Sequence, residues 1–331
     1  MSEPILSLDQ LNVRFATSRG SVAAVRSADL AIFKGETLAL VGESGSGKST
    51  LAKALIRLND APFSQARAEI SGRALLRVGN EVIDLVSASR SQMRQIRARQ
   101  VAMVAQDALS GLNPVVRIGR QVAEALQSAF PGLTRTMLDD KVVELLDEVG
   151  LPDPGKIVSR FPHQLSGGQR QRIMIAMAVA RGPQLLIADE PTTALDVSVQ
   201  ARILQLMKRL QAQSGAATLF ITHDLGVVAN FADRVAVMYA GEIVEVAPVA
   251  DFLRQPMHPY TAGLIASVPG SHRQFPRLKG NAPDPLSVPS GCAFRDRCPA
   301  AMATCEAAPP MATPTMITQA NRQARCWRTA A

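Results

Sequence analysis

Short apolar runs alternate with longer amphipathic stretches along the first 250 residues of the chain. Thr37–Val41, Gln184–Ala188 and Thr218–Thr222 have the length and the continuous apolar character of strands that are buried on both faces of a parallel sheet. The stretch Ser198–Ser214 instead places its apolar residues on one helical face, and Gly215 supplies a stop signal. The alternation of the two patterns predicts an α/β fold.

Two more helical stretches, Arg135–Val149 and Arg170–Arg181, lie between the first and second of these strands. They predict an inserted helical subdomain at about residues 86–180. The composition changes near residue 250, because 11 of the 21 prolines and all four cysteines follow it. We therefore expect two domains: an α/β domain over residues 1–250, which includes the helical insert, and a small Cys/Pro-rich C-terminal domain over residues 251–331.

Composition and charge exclude several classes of protein. A chain of 331 residues with 47% apolar residues can bury a sizeable core, which excludes disorder throughout. The formal net charge is +8, but aromatic residues make up only 4%, which argues against the stacking platforms of single-strand nucleic-acid binders. Four cysteines are too few for a disulfide-stapled secreted fold. Neither a secretory signal nor an apolar run of ~20 residues is visible, so we expect membrane contact only through a partner.

The most specific motif directly follows the first strand. Gly42–Ser49 matches the pattern G-x-x-x-x-G-K-[ST] and leads into a helix-like stretch, Ser49–Leu58. Its glycines let backbone N–H groups and a helix N-terminus face a phosphate, while Lys48 is expected to reach the β- and γ-phosphates and Ser49 to bind Mg²⁺. The predicted nucleotide contacts are Gly42, Ser44, Gly45, Ser46, Gly47, Lys48, Ser49 and Thr50. The motif predicts nucleoside triphosphate binding; the alternative is a glycine-rich turn.

Two carboxylates directly follow the second predicted strand. Asp189 is expected to hold Mg²⁺, and Glu190, the next residue, to polarise the attacking water. An acidic strand end is common by itself. Together with the phosphate loop, however, it predicts that the chain hydrolyses the nucleotide as well as binding it.

A second glycine-rich segment, Leu165–Gln169, directly precedes the helical stretch that begins at Arg170. Small residues at a helix start expose backbone N–H groups, so we expect a second anion-binding surface here. Its predicted contacts are Ser166, Gly167, Gly168 and Gln169. This segment resembles the signature motif of ABC-type ATPases. The resemblance implies a P-loop NTPase fold of ABC type with a mixed sheet core, in which two subunits pair head to tail and each signature caps the other subunit's nucleotide.

The resemblance covers residues 5–250 and implies roles for four further residues. Gln106 matches the Q-loop glutamine, which contacts the metal and the water, and His223 matches the switch histidine, which senses the γ-phosphate. Asp196 matches the D-loop aspartate, which communicates across the dimer. Phe15 lies where family members have an aromatic residue that stacks on adenine; the alternative is a core position in a strand. The implied catalytic residues are Lys48, Gln106, Glu190 and His223, and the implied Mg²⁺ ligands are Ser49, Gln106 and Asp189.

The chain after the ATPase domain carries a second resemblance. Arg254–Thr261, with Leu264 and Pro269, resembles the tail of the oligopeptide/dipeptide/nickel importer group, and Leu112–Pro114 is also similar to that group. Four cysteines follow in a proline-rich segment, which suggests a metal clip. They are Cys292, Cys298, Cys305 and Cys326. Their spacing leaves open a four-thiolate zinc site, an iron–sulfur cluster and free thiols. The resemblance favours a [4Fe–4S] cluster.

The tail has a net charge of +5, and several of its basic residues lie close to the cysteines in the sequence. These residues are Arg295, Arg297, Arg322, Arg325 and Arg328. We expect them to offset the negative charge of thiolates and to face anionic membrane headgroups. Direct nucleic-acid binding is not expected, because the stacking aromatics are missing.

Together the motifs and resemblances predict an ATPase subunit of an importer for peptides or a similar small solute, peripheral on the cytoplasmic face of the cell membrane, with ATP and Mg²⁺ as ligands. The implied partners are a second ABC ATPase subunit, a paralogue in this group, two transmembrane permease subunits and an extracytoplasmic solute-binding protein. The alternatives are a soluble ABC ATPase of translation or DNA repair and an exporter ATPase. The soluble proteins usually have two ATPase domains or a long coiled-coil insertion, and this chain has neither.

Overall fold

The computed structural model describes residues 3–58, 68–106, 111–193, 195–268, 278–312 and 322–329. The chain divides into two compact units. Residues 1–88 and 220–331 form the first unit, and Ser89–Leu219 form the second. Pro269, a member of the importer-like pattern, lies outside the described residues.

Strands and helices alternate in the described residues. The strands are β1 (Pro4–Thr17), β2 (Gly20–Phe33), β3 (Thr37–Val41), β4 (Ala68–Val78), β5 (Glu81–Asp84), β6 (Val101–Val104), β7 (Leu185–Asp189), β8 (Ala217–Ile221), β9 (Arg234–Tyr239), β10 (Glu242–Pro248), β11 (Met311–Ala312) and β12 (Gln323–Arg325). The helices are α1 (Lys48–Leu55), α2 (Arg90–Arg99), α3 (Ile118–Ala129), α4 (Arg135–Glu148), α5 (Pro154–Ile157), α6 (Gly167–Val179), α7 (Val197–Ser214), α8 (Leu225–Phe231), α9 (Val249–Arg254) and α10 (Pro259–Ala266). The predicted α/β fold is confirmed.

The first unit contains an antiparallel sheet in the order β2-β1-β4-β5. In β1 the buried residues alternate as Leu6 and Leu8, and then, one residue out of step, as Leu11 and Val13. The shift falls at Gln10, which has φ 48°, where the β1–β2 register also changes. This bulge keeps both halves of β1 facing the core.

The same unit holds a second group of strands in the order β11-β12-β10-β9-β3. β3 is parallel to β9, with Leu38 opposite Arg234, and all five residues of β3 are buried, as its continuous apolar run predicts. β8 ends in this unit, where the Thr222 N–H donates to the Leu40 carbonyl oxygen at 3.3 Å. The carboxyl ends of β3 and β8 therefore lie side by side.

Aromatic residues from the C-terminal part of the chain complete the core of the first unit. Tyr260 of α10 is 0% exposed and Phe294 is 1% exposed. Their ring centroids lie 4.6 Å and 5.3 Å from that of Tyr239 in β9. Val41, which ends β3, belongs to the same hydrophobic cluster. The segment after residue 250 thus shares a core with the strand that leads into the phosphate loop.

In the second unit, β6 and β7 pair in parallel, with Val104 opposite Ala188. Helices α4 and α7 agree with the predicted helices to within one residue at each end. In the apolar face predicted for α7, Ile203, Leu206, Met207 and Leu210 are buried and Val199 is half-buried. α6 differs: the sequence predicts a helix that begins at Arg170, whereas α6 begins at Gly167, inside the glycine-rich segment Leu165–Gln169. Among all helices of the described ranges, none is long and apolar enough to cross a membrane.

Candidate active site

The phosphate loop joins β3 to α1, and its conformation requires glycine at two positions. Gly42 has φ 153° and Gly47 has φ 108°. A Cβ atom on Gly42 would collide with the Met238 carbonyl oxygen, and one on Gly47 with the Ala24 carbonyl oxygen. Gly47 is also the N-cap of α1 and, as a glycine, supplies no side-chain cap to the helix. The loop therefore leads into a helix start whose cap is a glycine, the arrangement that binds phosphate in many proteins.

Lys48 lies at the centre of this loop. Its side chain is buried, and Nζ donates to the carbonyl oxygens of Gly42 at 2.9 Å and Glu43 at 2.8 Å, and to Ser46 Oγ at 3.3 Å. Ser49 follows it in the first turn of α1 and is half-buried. The geometry thus combines one fixed positive charge, a helix N-terminus and a hydroxyl, which are the groups that bind a Mg²⁺-polyphosphate.

His223 belongs to the same edge of the first unit. It directly follows Thr222, whose N–H donates to the Leu40 carbonyl oxygen of β3. His223 therefore lies near the carboxyl end of β3, where the phosphate loop starts. The side chain is exposed, and the next residue, Asp224, caps α8 by accepting the Gly226 N–H at 2.8 Å. The cap fixes the backbone on the C-terminal side of His223. Phe15 is half-buried in β1, where it pairs with Val22 and Ala68.

The two predicted acids and the predicted glutamine meet in the second unit. Asp189 is the last residue of β7 and is 2% exposed, and Glu190 follows it with φ 48°. Gln106 Nε2 donates to Glu190 Oε2 at 3.2 Å because β6 and β7 are parallel and end at the same edge. Thr193 Oγ1 also donates to Glu190 Oε2, at 3.0 Å. Thr193 is not among the predicted site residues, because its position three residues after Glu190 belongs to none of the motifs.

The segment predicted as a signature motif is the start of a helix. Ser166 is the N-cap of α6: its Oγ accepts the Gln169 N–H at 3.3 Å, and Gln169 Oε1 accepts the Ser166 N–H at 3.0 Å. The Gln169 side chain therefore caps its own helix. A Cβ atom on Gly168 would lie 2.7 Å from Val199 Cγ1 of α7, so this glycine permits close packing of the two helix starts.

Asp196 is the N-cap of α7. Its Oδ1 accepts the Ser198 hydroxyl at 2.7 Å and the Val199 N–H at 2.9 Å. These two hydrogen bonds lower the pKa of the Asp196 carboxyl below its usual range. Because Gly168 packs on Val199, the predicted signature and the predicted D-loop aspartate lie on two helix starts that contact each other.

All four cysteines line one small cavity in the first unit. None is in a disulfide, and burial raises the pKa of Cys292 to about 11 and raises those of Cys298 and Cys326. In the described part of the chain, no three His, Cys, Asp or Glu side chains are placed to hold a metal ion. The predicted [4Fe–4S] cluster is therefore not supported.

The arginines of the tail make contacts that the sequence pattern does not predict. Most of them bond to carboxylates or carbonyl oxygens of the first unit. Arg328 is near the thiols: burial raises the pKa values of Cys298 and Cys326, and Arg328 partly opposes that rise. The contacts of the others are Arg297 with Glu43, Arg322 with Asp251 and the Gln255 carbonyl oxygen, Arg325 with Asp29, and Arg295 with Asp296 and the Ser290 carbonyl oxygen. Several of the positive charges that give the tail its net charge of +5 are therefore paired within the fold.

Comparison with known proteins identifies the class of these motifs. Residues 25–193 match the family model described as ABC transporter. The chain belongs to this family. Residues 244–305 of this ABC protein match a second model, described as the C-terminal region of oligopeptide/dipeptide transporters. The resemblance drawn from the phosphate loop and the signature segment is confirmed at the level of the family.

Individual relatives agree with this assignment. The ABC protein is 46% identical over 322 residues to a putative peptide import ATP-binding protein of Brucella ovis, which covers 94% of each chain. It is 43% identical over 328 residues to the dipeptide transport ATP-binding protein DppD of Bacillus subtilis, covering 98% of this chain and 95% of that protein. A solved dimeric ATP-binding cassette, in a post-hydrolysis state bound to ADP and Pi, is 27% identical with a TM-score of 0.64, over 74% of this chain and 98% of that one.

Proposed function

We propose that this ABC protein is the ATPase subunit of an importer, and that it hydrolyses ATP to move dipeptides, oligopeptides or a similar small solute across the cytoplasmic membrane. The observation that carries this proposal is the similarity over nearly the whole chain to a peptide import ATP-binding protein, together with the match of residues 244–305 to the oligopeptide/dipeptide transporter C-terminal region. That C-terminal match favours an importer over the two alternatives, an exporter ATPase and a soluble ABC ATPase of translation or DNA repair.

The proposed organisation has an ABC ATPase domain over residues 1–250, with the helical subdomain at about 86–180, and an importer-type C-terminal domain over residues 251–331. In the first domain, the phosphate loop and Lys48 bind the β- and γ-phosphates of ATP. Its backbone geometry supports this role, because the positive φ of Gly42 and Gly47 and their close approach to carbonyl oxygens give the glycine-dependent loop of a phosphate site. Phe15 stacks on the adenine, and His223 senses the γ-phosphate.

Ser49 and Asp189 are the proposed Mg²⁺ ligands, and Gln106 contacts the same ion. Bound Mg²⁺ would offset the charge of the phosphates. Glu190 orients and polarises the attacking water, and its carboxylate is aimed by the hydrogen bonds from Gln106 and Thr193. The positive φ of Glu190 supports a functional role, because non-glycine residues adopt this conformation at a cost and do so often at active sites.

The signature residues Ser166 to Gln169 act on a second ABC subunit, where they cap the partner's nucleotide, and Asp196 communicates across that dimer. The first turn of α6 would supply the N–H groups for this contact. The other proposed partners are two transmembrane permeases and an extracytoplasmic solute-binding protein, so the chain is peripheral on the cytoplasmic face. The partner ATPase subunit is proposed to be a paralogue.

The test of the catalytic assignment is Glu190→Gln. The variant keeps the shape of the side chain and its hydrogen bonds but lacks the base, so ATP should bind normally while hydrolysis falls by about 100-fold or more. Phosphate release and the amount of ATP retained by the dimer measure the two effects. Glu144→Gln, the same exchange at an exposed position of α4, is the matched control. Hydrolysis at the normal rate in Glu190→Gln would refute the water-activating role.

The test of the transport assignment uses the chain assembled with its permeases and binding protein in proteoliposomes. Peptides should stimulate ATP hydrolysis and accumulate on the trans side only when ATP is present. Stimulation by another solute, with no response to dipeptides or oligopeptides, would contradict the peptide assignment while leaving the ATPase assignment intact.

A further inference from the structure

The second residue of the phosphate loop is held by the C-terminal part of the chain. The Glu43 carboxylate accepts two hydrogen bonds from Arg297, Nη1 to Oε2 at 3.0 Å and Nη2 to Oε1 at 3.0 Å. The two residues are 254 positions apart in the sequence. The Arg297 side chain is 9% exposed and that of Glu43 is 28% exposed, so water screens the pair little. Such a bidentate, partly buried pair is stronger and more directional than a surface ion pair.

The Arg297 guanidinium is itself fixed on several sides. Nε donates to the Lys279 carbonyl oxygen at 2.9 Å, and Nη1 also donates to Tyr239 Oη at 3.3 Å. Its Cζ lies 5.7 Å from the centre of the Tyr239 ring and 5.9 Å from that of Phe294, which are cation–π distances. Burial lowers the pKa of this group, but the bonds to Glu43 and Tyr239 outweigh it and raise the pKa overall. Arg297 is therefore a preorganised cation.

A second contact holds the backbone of the same loop residue. The Glu43 N–H donates to Tyr260 Oη at 2.9 Å. Tyr260 is fully buried, and its ring packs against those of Tyr239 and Phe294 at 4.6 Å and 5.4 Å. The carbonyl oxygen of Glu43 accepts from Lys48 Nζ at 2.8 Å. The same oxygen also accepts from the Ser46 N–H at 3.2 Å. The N–H and the carboxylate of Glu43 are thus held by residues from the chain after residue 250, and its carbonyl oxygen by residues of the loop itself.

The charge of Glu43 gives these contacts a consequence for nucleotide binding. A carboxylate in a loop that receives a triphosphate would repel the ligand, and it would also be able to turn toward the Lys48 ammonium. The Arg297 guanidinium offsets this charge and holds the carboxylate on the side of the C-terminal segment. The loop can then present its N–H groups and Lys48 to phosphates with less electrostatic opposition.

We propose that Arg297 is a positioning residue for the ATP site: it neutralises and orients Glu43, and together with Tyr260 it sets the conformation of the phosphate loop, so that the C-terminal segment controls the affinity for nucleotide phosphates. The inference rests on the proposed function, because it takes the phosphate loop as the place where the nucleotide phosphates bind. It assigns the Cys/Pro-rich tail a direct part in the ATPase site.

The test measures binding of ATP and of AMP to the full-length chain with Mg²⁺, by titration of a fluorescent nucleotide analogue and its displacement. Arg297→Met leaves the Glu43 charge unopposed, so the dissociation constant for ATP should rise about tenfold. That for AMP should change less, because fewer phosphate charges meet the carboxylate. The loss should shrink at high salt, which screens this repulsion. Arg295→Met, which removes the same charge from the same segment but from a residue bonded to Ser290 and Asp296, should bind ATP normally.

The double variant Arg297→Met with Glu43→Gln separates the charge effect from a packing effect. Removing the carboxylate should restore most of the ATP affinity, and Glu43→Gln alone should change it less than about threefold. If Arg297→Met does not fold, Arg297→Lys carries the test, because lysine cannot make the bidentate contact; ATP affinity should fall by about three- to fivefold and recover with Glu43→Gln. Equal loss for ATP and AMP, or no recovery in the double variant, would overturn the inference.

Lys48→Ala keeps this test apart from that of the proposed function. If Lys48→Ala binds ATP as well as the unmodified chain, the phosphates are not held by this loop and the proposed site is wrong. If Lys48→Ala loses ATP while Arg297→Met binds it normally and at every salt concentration, the proposed site stands and the role of Arg297 is refuted.

Discussion

The phosphate loop and the signature segment are both glycine-rich and both lead into a helix, but the two helices are capped differently. At α1 the N-cap is Gly47, in the left-handed region, which supplies no side-chain cap. At α6 the N-cap is Ser166, and a reciprocal pair of hydrogen bonds with Gln169 closes the first turn. A glycine N-cap supplies no side-chain acceptor to the helix start, whereas a serine N-cap does.

The glycines of the two segments also serve different purposes. Gly42 and Gly47 face backbone carbonyl oxygens, which cannot move without displacing a strand. Gly168 faces the side chain of Val199, which can be shortened by mutation. Glycine in the phosphate loop is therefore a requirement of the backbone, while in the signature segment it is a requirement of packing between two helices. Substitutions that exploit this difference should have graded effects.

The largest effect is expected for Gly42→Ala. The new methyl group would meet the Met238 carbonyl oxygen of β9, so the loop or the strand must shift, and we expect a loss of ATP binding with a fall of about 3 kcal/mol in the free energy of unfolding. Gly45→Ala is the matched control: Gly45 also has a positive φ, 78°, but among the described residues no atom lies within 4 Å of the position that a Cβ would take. It should cost about 1 kcal/mol. Denaturant unfolding and nucleotide titration measure both; equal losses would show that strain, not collision, governs this loop.

Gly168→Ala should have an intermediate effect. Its methyl group would push on Val199 Cγ1 and separate the starts of α6 and α7, which should lower the free energy of unfolding by about 2 kcal/mol. The rescue variant Gly168→Ala with Val199→Ala removes the obstructing methyl groups. It should recover at least half of the lost stability relative to Val199→Ala alone, and failure to recover would mean that the glycine serves another purpose than packing.

The smallest effect is expected for Ser166→Ala. The substitution removes one partner of the capping box, so the free energy of unfolding should fall by about 1 kcal/mol. Ser166→Asp, which keeps an N-cap acceptor, should fold as stably as the unmodified chain. Thermal unfolding compares the two, and a loss of several kcal/mol in Ser166→Ala would contradict a simple capping role.

The sequence predicted those parts of the molecule whose signals are local. β3 and α7 appear with nearly the predicted bounds, because a continuous apolar run and a one-sided apolar stripe each follow from one element's own burial. The phosphate loop follows a fixed spacing, and its glycines have the conformations that this spacing implies. Gln106 and Glu190 were predicted separately, and parallel pairing of β6 and β7 brings them together.

The remaining features depend on contacts that the sequence pattern does not carry. The alternation in β1 is broken by the bulge at Gln10, so no regular strand pattern was visible there. The contact between Glu43 and Arg297 joins segments 254 residues apart. At Ser166 the local pattern, serine followed three residues later by glutamine, is typical of a capping box, but the small residues at this helix start also predict anion binding.

The aromatic cluster of Tyr239, Tyr260 and Phe294 bears on how such proteins can be divided and recombined. The change of composition near residue 250 suggests that the chain could be divided there into an ATPase domain and a separate C-terminal domain. Because the cluster joins both parts in one hydrophobic core, such a cut would expose that core to water. It would also remove Tyr260 and Arg297, two hydrogen-bond partners of Glu43. Exchange of tails between related chains should therefore carry this ring cluster, Arg297 and Glu43 as one inherited set.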